Sequence, residues 1–371
     1  MNPSEKLDFY LNIANENLAI SFLSTYKVQS EVEFICRCNT NKAPIRFLIA
    51  CLLAKIDRPE IDIRKPYTEI QGNDTYSGRA YDEGFVEAFV AKHKLPCNST
   101  TAFLTPAFRN TDRPLAANLV MVGKPREVYT YTLGLLDAVY QNRIEAASLL
   151  KEILRYLLIV KAENENRMKQ LIADLKQTGD ILPLSSEQIV TLLNQHLNCK
   201  NSSRLPVLVV VAAHLTVENL IGEKTRPLYA HNAADKQTGS VGDIEITFKN
   251  DKKIISCYEM KDKRVTINDI NHALRKASIL DEKIDNYIFI TTDVIEIEVA
   301  EYAKSLYEQT SIEIAILDCL GFARHFLHLF HRYRTSFLDN YQDLVIREPN
   351  RSVGQPLKEA FLILRKQAES N

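Results

Sequence analysis

Apolar residues recur at helical spacing from Ser4 to Tyr26, and "APIRFLIACLLAKI" carries a second helical pattern. The periodicity then lapses. From Asp62 to Pro114, Gly, Pro, Asn, Asp and Thr are frequent and long periodic runs are few. This predicts a loop-rich segment with one short helix near Tyr81 to Lys92. Long irregular segments in compact proteins are usually functional or disordered, and the many aromatics here argue against disorder. Helical spacing returns from Arg126 to about Lys176, and again from Ser186 to Leu197.

The second half alternates. "CKNSSRLP", Cys199 to Pro206, is polar and small and ends in a proline that can start a helix, so it is the expected domain boundary. The expected domains are residues 1–200, mostly helical with the loop-rich segment 62–114, and residues 201–371. A helix from Val207 to Ile221 comes first, then strands over Asp243 to Phe248 and Lys253 to Met260. "TINDINHALRKASIL" reads as a capped helix, "NYIFITTD" as a strand and "EIEVAEYAKSLYEQ" as a helix. "IEIAILD" is another strand and "LGFARHFLHLFHRYRTSFLDNY" a long helix. The order predicts an α/β (α+β) core around a mixed sheet. No internal repeat is visible.

Bulk composition narrows the classes only a little. The chain of 371 residues is 46% hydrophobic and 25% charged, ordinary for a globular protein. A net charge of −1 means that nucleic-acid binding requires a local basic surface. Seven scattered cysteines without a CxxC argue against a disulfide framework or a thiolate zinc site, and suit a reducing cytosol. "MNPSEKLDFY" lacks the features of a signal peptide. The longest apolar runs, such as "VLVVVAAHL", are too short to span a bilayer. The expectation is a cytoplasmic protein with no membrane partner.

The hairpin "TGSVGDIEITFKNDKKIISCYEMKDKRV" carries the chemistry. Side chains alternate along a strand, so Glu259 and Lys261 share a face while Tyr258 and Met260 take the other. Asp243 opens the neighbouring strand and can converge on the same side. Two carboxylates suit a hard divalent cation such as Mg2+. A lysine beside them can orient or deprotonate water, or neutralise charge on a phosphate. Such a set can hydrolyse a phosphodiester. An acid and a lysine two positions apart are also common on a solvated strand face. It is the surrounding helix, hairpin, helix and strand that separate the two possibilities.

This arrangement resembles the PD-(D/E)xK nuclease core, with Gly242-Asp243 and then Glu259-Met260-Lys261, a glycine standing where the family has proline. A preceding helix often lends that superfamily another acid, and Glu218 in "HLTVENLIGEK" is the matching candidate. "DIRKPYTEIQGNDTYSGRAYDEGFVEAFV" and "STTAFLTPAFRN" are similar to type II restriction endonucleases of the SacI-like family. The resemblance implies Mg2+-dependent cleavage of double-stranded DNA at a short palindrome by a homodimer. It also implies a cognate methyltransferase in the host.

Base reading is expected from the segment 62–114. Arginine and lysine read guanine, and asparagine reads adenine. The candidates are Arg64, Lys65, Asn73, Thr75, Arg79, Asp82, Thr101, Arg109 and Asn110. Here seven basic residues are balanced by seven acidic ones, which suits a preorganised polar network better than a phosphate-binding arm. The same segment can equally be a surface loop bracing helices. His325, His328 and His331 recur every three residues, but without acids nearby in sequence they suit a helix face near DNA or a partner better than zinc. Three rivals remain open: a repair or structure-specific nuclease, a DNA-binding protein with a silent core, and a helical scaffold with an unrelated α/β domain.

Overall fold

A computed structural model describes residues 1–109, 111–176, 182–228, 240–278 and 284–370. The chain divides into two compact units, Met1–Arg167 and Met168–Asn371.

The first unit is helical. Its main elements are α1 (Pro3–Glu16), α2 (Tyr26–Arg37), α3 (Ala43–Asp57), α4 (Glu87–His93), α5 (Arg126–Tyr140) and α6 (Ala146–Lys176), whose last turns belong to the second unit. Every residue of α3 from Ala43 to Ala54 is buried, so this helix is the axis of the unit. The expected single helix from Ser4 to Tyr26 stops at Glu16. Glu152 of α6 is fully buried and takes Ser21 Oγ at 2.8 Å and the Phe22 N–H at 2.9 Å. Satisfying that buried carboxylate requires a backbone N–H not spent within a helix. The expected helix from Arg126 to Lys176 likewise breaks, at Asn142, whose φ is 55°. Asparagine is one of the few residues that tolerate this left-handed conformation.

The loop-rich segment is well packed. A helical turn at Gly78–Tyr81 runs into a π-helical turn at Asp82–Val86 and then α4, close to the helix expected there. Phe47 of α3 stacks on Phe108 with ring centroids 4.0 Å apart, and the Tyr67 hydroxyl donates to the Phe108 carbonyl at 2.7 Å. The aromatics expected to order this stretch are what tie it to the helical core.

The second unit is the mixed α/β core. It contains α7 (Ser186–Leu197), α8 (Leu205–Ile221), β1 (Glu223–Thr225), β2 (Ile244–Phe248), β3 (Ile254–Lys261), α9 (Ile267–Ala277), β4 (Asn286–Thr291), α10 (Ile297–Ser305) and β5 (Glu313–Asp318). The helices α11 (Cys319–Leu329), α12 (Arg334–Arg347) and α13 (Gln355–Ser370) follow. The division falls before the expected 200/201 because Ile189, Val190, Leu192 and Leu193 of α7 bury in the same core as α8. The long helix expected from Leu320 to Tyr341 splits at Phe330 into α11 and α12, with a 3₁₀ turn at His331–Tyr333 between them.

The five-stranded sheet runs in sequence order, with β1, β2 and β3 antiparallel and β3, β4 and β5 parallel. Both faces are covered. Ile244, Ile246, Tyr258, Ile288 and Ile290 pack with α7, α8, α11, α12 and α13. Cys257, Tyr287, Phe289 and Ile314 pack with Ile270, Ala273 and Ala277 of α9 and Ala303 of α10. This two-faced burial gives β4 its unbroken apolar run.

Candidate active site

The register of β2 on β3 pairs Ile244 with Tyr258. One further step puts Asp243 opposite Glu259. The close approach is backbone to backbone: a Cβ on Gly242 would lie 2.7 Å from the Tyr258 carbonyl oxygen. Any side chain there would push the strands apart, which accounts physically for glycine in this place. Asp243 Oδ2 then accepts from the Met260 N–H at 2.7 Å.

Alternation places Cys257, Glu259 and Lys261 on the face that α9 covers, and Tyr258 and Met260 on the other. Tyr258 bears out the parity, its hydroxyl lying 3.1 Å from Nε2 of His214 on α8. Lys261 Nζ stands 3.3 Å from Glu259 Oε1 and 3.1 Å from Asp269 Oδ1. Lys276 Nζ stands 3.5 Å from Glu259 Oε2. The Tyr287 hydroxyl is 3.1 Å from the same Oε2 and 2.9 Å from the Val241 carbonyl, sharing one proton between them.

Sequence reasoning missed Asp269, Lys276 and Tyr287. Asp269 was visible only as a helix start. Thr266 and Asp269 form a capping box, the Thr266 N–H donating to Asp269 Oδ2 at 2.9 Å. That box fixes the first turn of α9 beside Lys261. Lys276 lies seven residues further, two turns on, so α9 presents both groups on one face.

The electrostatics follow from this crowding. The Asp243 carboxyl is pushed up, first by desolvation and then by the charge of Glu259, against the Met260 N–H, Arg204 and Lys276. It remains exposed to solvent. Desolvation lowers the Lys261 amine, but Glu259 and Asp269 outweigh it and hold it above its ordinary value. For Asp269, desolvation is outweighed by its Thr266 hydrogen bonds and by Lys261, so its carboxyl stays low.

The donor set fits a hard divalent cation. The charge of Glu259 helps to push the Asp243 carboxyl up, a shared cation relieves that repulsion, and both donors are oxygens. Among the described residues, no group of three or more His, Cys, Asp or Glu side chains is arranged to hold a metal. A pair of carboxylates suits an ion that keeps several waters, as Mg2+ does.

Glu218 is not brought to this pair. It lies in the last turn of α8, beside β1, whose Glu223 pairs with Phe248 at the far end of β2. Five residues of strand separate that end from Asp243, about 17 Å. The three histidines do not converge either. The helix ends at Leu329, His331 sits in the following 3₁₀ turn, and His328 Nε2 pairs with Glu187 at 2.9 Å.

In the first unit the residues expected to read bases divide. Asp82 is fully buried, with its carboxylate 2.6 Å from Arg46 Nε, 2.5 Å from Thr101 Oγ1 and 3.2 Å from the Ala102 N–H. Asp82 thus orients an arginine inside the unit, and Thr101 is hydrogen-bonded to it. Arg64 bridges Asp62 at 2.9 Å and Asp137 at 3.0 Å, with its guanidinium 3.3 Å from the Tyr140 ring centroid. Lys65 is tied to Asp74 at 2.8 Å. Thr75 Oγ1 donates to the Gly72 carbonyl at 3.4 Å, and exposed Arg79 pairs with Glu83 at 2.7 Å. Asn73 and Arg109 are exposed, with no side-chain hydrogen bond or ion pair to described residues. Asn110 lies outside the described residues.

Residues 183–292 match the SacI restriction endonuclease C-terminal domain family. The matched span holds Asp243, Glu259, Lys261, Asp269, Lys276 and Tyr287, and it bears out the resemblance to the SacI-like family. No curated protein matches the chain at a significant level. Among the described residues, no helix is long and apolar enough to cross a membrane.

Proposed function

We propose, from the premise that residues 183–292 are a SacI-type restriction endonuclease domain, that this protein is a type II enzyme cutting double-stranded DNA at a short palindrome with Mg2+. One observation carries the mechanism: Asp243, just ahead of β2, accepts from the Met260 N–H of β3 at 2.7 Å and feels the charge of Glu259, whose carboxylate lies 3.3 Å from Lys261 Nζ. Asp243 and Glu259 would hold the cation, which supplies Lewis-acid stabilisation of the phosphate and a more acidic water.

The remaining work falls to the chain's own groups. Asp269 keeps Lys261 beside Glu259 and protonated, so Lys261 acts as a charged donor to water or phosphate rather than as a base. Tyr287 steadies the Glu259 carboxylate by hydrogen bonding. The exposed Asn73 and Arg109, with Arg79, are the groups of the first unit best disposed to meet DNA. A two-fold target is met most simply by a homodimer, and such an enzyme requires a methyltransferase partner in a cytoplasmic host setting.

The test is plasmid DNA incubated with the protein and Mg2+, followed by sequencing of the ends. Discrete fragments sharing one end sequence support the proposal. Random or junction-limited cuts indicate a repair or structure-specific nuclease instead. Intact DNA indicates a silent core or a non-nuclease.

A further inference from the structure

We infer that Lys276 is a second ammonium of the active site, one that competes with the divalent cation for Glu259 and so makes tight cation binding wait for DNA. This rests on the reading of Asp243 and Glu259 as metal ligands. The two oxygens of Glu259 are held from opposite sides. Oε1 faces Lys261 at 3.3 Å, and Oε2 faces Lys276 at 3.5 Å and Tyr287 at 3.1 Å. A cation that takes Glu259 must displace or share these partners.

Lys261, once displaced, keeps Asp269 at 3.1 Å. Lys276 sits on a helix whose Ile270, Ala273 and Ala277 are buried against the sheet, so its stem stays beside Glu259. Its charge also reaches Asp243, where it favours the carboxylate. With a cation present, this ammonium becomes a repulsive neighbour a few ångströms away. A DNA phosphate reverses the sign of the local charge and removes the repulsion. Lys276 is thus a positioning residue acting through Glu259, which it orients in the cation-free protein and yields on loading.

The experiment measures Mn2+ binding to the DNA-free protein, by the free-ion electron paramagnetic resonance signal. Lys276→Met should bind Mn2+ about three- to tenfold tighter than the parent, the scale of removing one partly screened charge. Lys276→Arg, which keeps the charge, should bind like the parent. A merely structural lysine predicts the opposite sign, because a loosened site binds more weakly. Unchanged or weaker Mn2+ binding by Lys276→Met with a parent-like unfolding curve overturns the inference. Lys276→Gln serves the same comparison if the methionine variant does not fold. Glu259→Gln separates the two levels. If parent binding survives it, the metal reading fails and this inference with it. If binding is lost there but Lys276→Met does not tighten, the inference alone fails.

Discussion

The loop-rich segment of the first unit and the β2–β3 hairpin of the second are both dense in charge, but they spend it differently. In the first unit each buried charge meets an internal partner: Arg46 with Asp82, Arg64 with Asp62 and Asp137, Glu152 with Arg155. Such pairs stay because removing either partner strands the other. In the hairpin, Asp243 and Glu259 are placed against each other, and desolvation and repulsion push the Asp243 carboxyl up. A fold that keeps Asp243 raised by burial and by a neighbouring carboxylate, despite the lysines around Glu259, holds strain that structure alone does not require. The contrast teaches that charge density is a poor marker of a site, whereas a carboxylate raised by burial and a like neighbour is a better one.

The strongest way to break this comparison is Asp243→Asn. It should cut cleavage about a thousandfold, in line with loss of a principal electrostatic group, while DNA binding in Ca2+ persists. Lys261→Ala should follow with a loss of roughly 10²–10³ in rate. Parent-like cleavage by Asp243→Asn would make the hairpin acids ornamental.

Asp82→Ala probes the other side. It should destabilise the protein by about 3–5 kcal/mol in urea unfolding, because Arg46 is left buried without its carboxylate. A stable variant with weakened DNA binding would return Asp82 to the DNA surface and erase the distinction between the two regions.

Arg109→Ala sharpens the comparison within the first unit. It should weaken specific DNA binding by about 1–3 kcal/mol without shifting the melting temperature. Arg64→Ala should do the reverse, since Arg64 is held by two carboxylates and the Tyr140 ring. Binding measured by anisotropy alongside thermal melts distinguishes the pair, and equal behaviour of the two variants would refute the division.

The smallest effect is a gain. Because the folded Asp243 carboxyl is raised, its ionised form opposes folding at neutral pH. Asp243→Asn should therefore raise the melting temperature of the cation-free protein by about 1–2 °C, a small shift because the group is open to solvent. The gain should vanish as pH falls through the raised value, where the parent carboxyl is protonated too. A lower melting temperature at neutral pH would mean that the acid pair is not strained.

Much of this was legible along the chain. Period-two alternation put Glu259 and Lys261 on one face, and the hairpin length brought Asp243 to them, because strand geometry is local. The order of helices and strands predicted the mixed sheet for the same reason. What the tertiary structure alone decided depends on partners distant in sequence. Glu152 takes the Phe22 N–H from more than a hundred residues away, beyond a helix that has already ended at Glu16. Asp82 is buried because Arg46 lies beneath it, and no spacing reveals that. Lys276 and Tyr287 reach Glu259 only after β4 pairs with β3 and α9 packs across both. Glu218 has the right residue type on the right helix, yet α8 carries it to the far end of β2. Periodicity fixes which face a side chain takes, and packing of remote elements fixes which groups meet there.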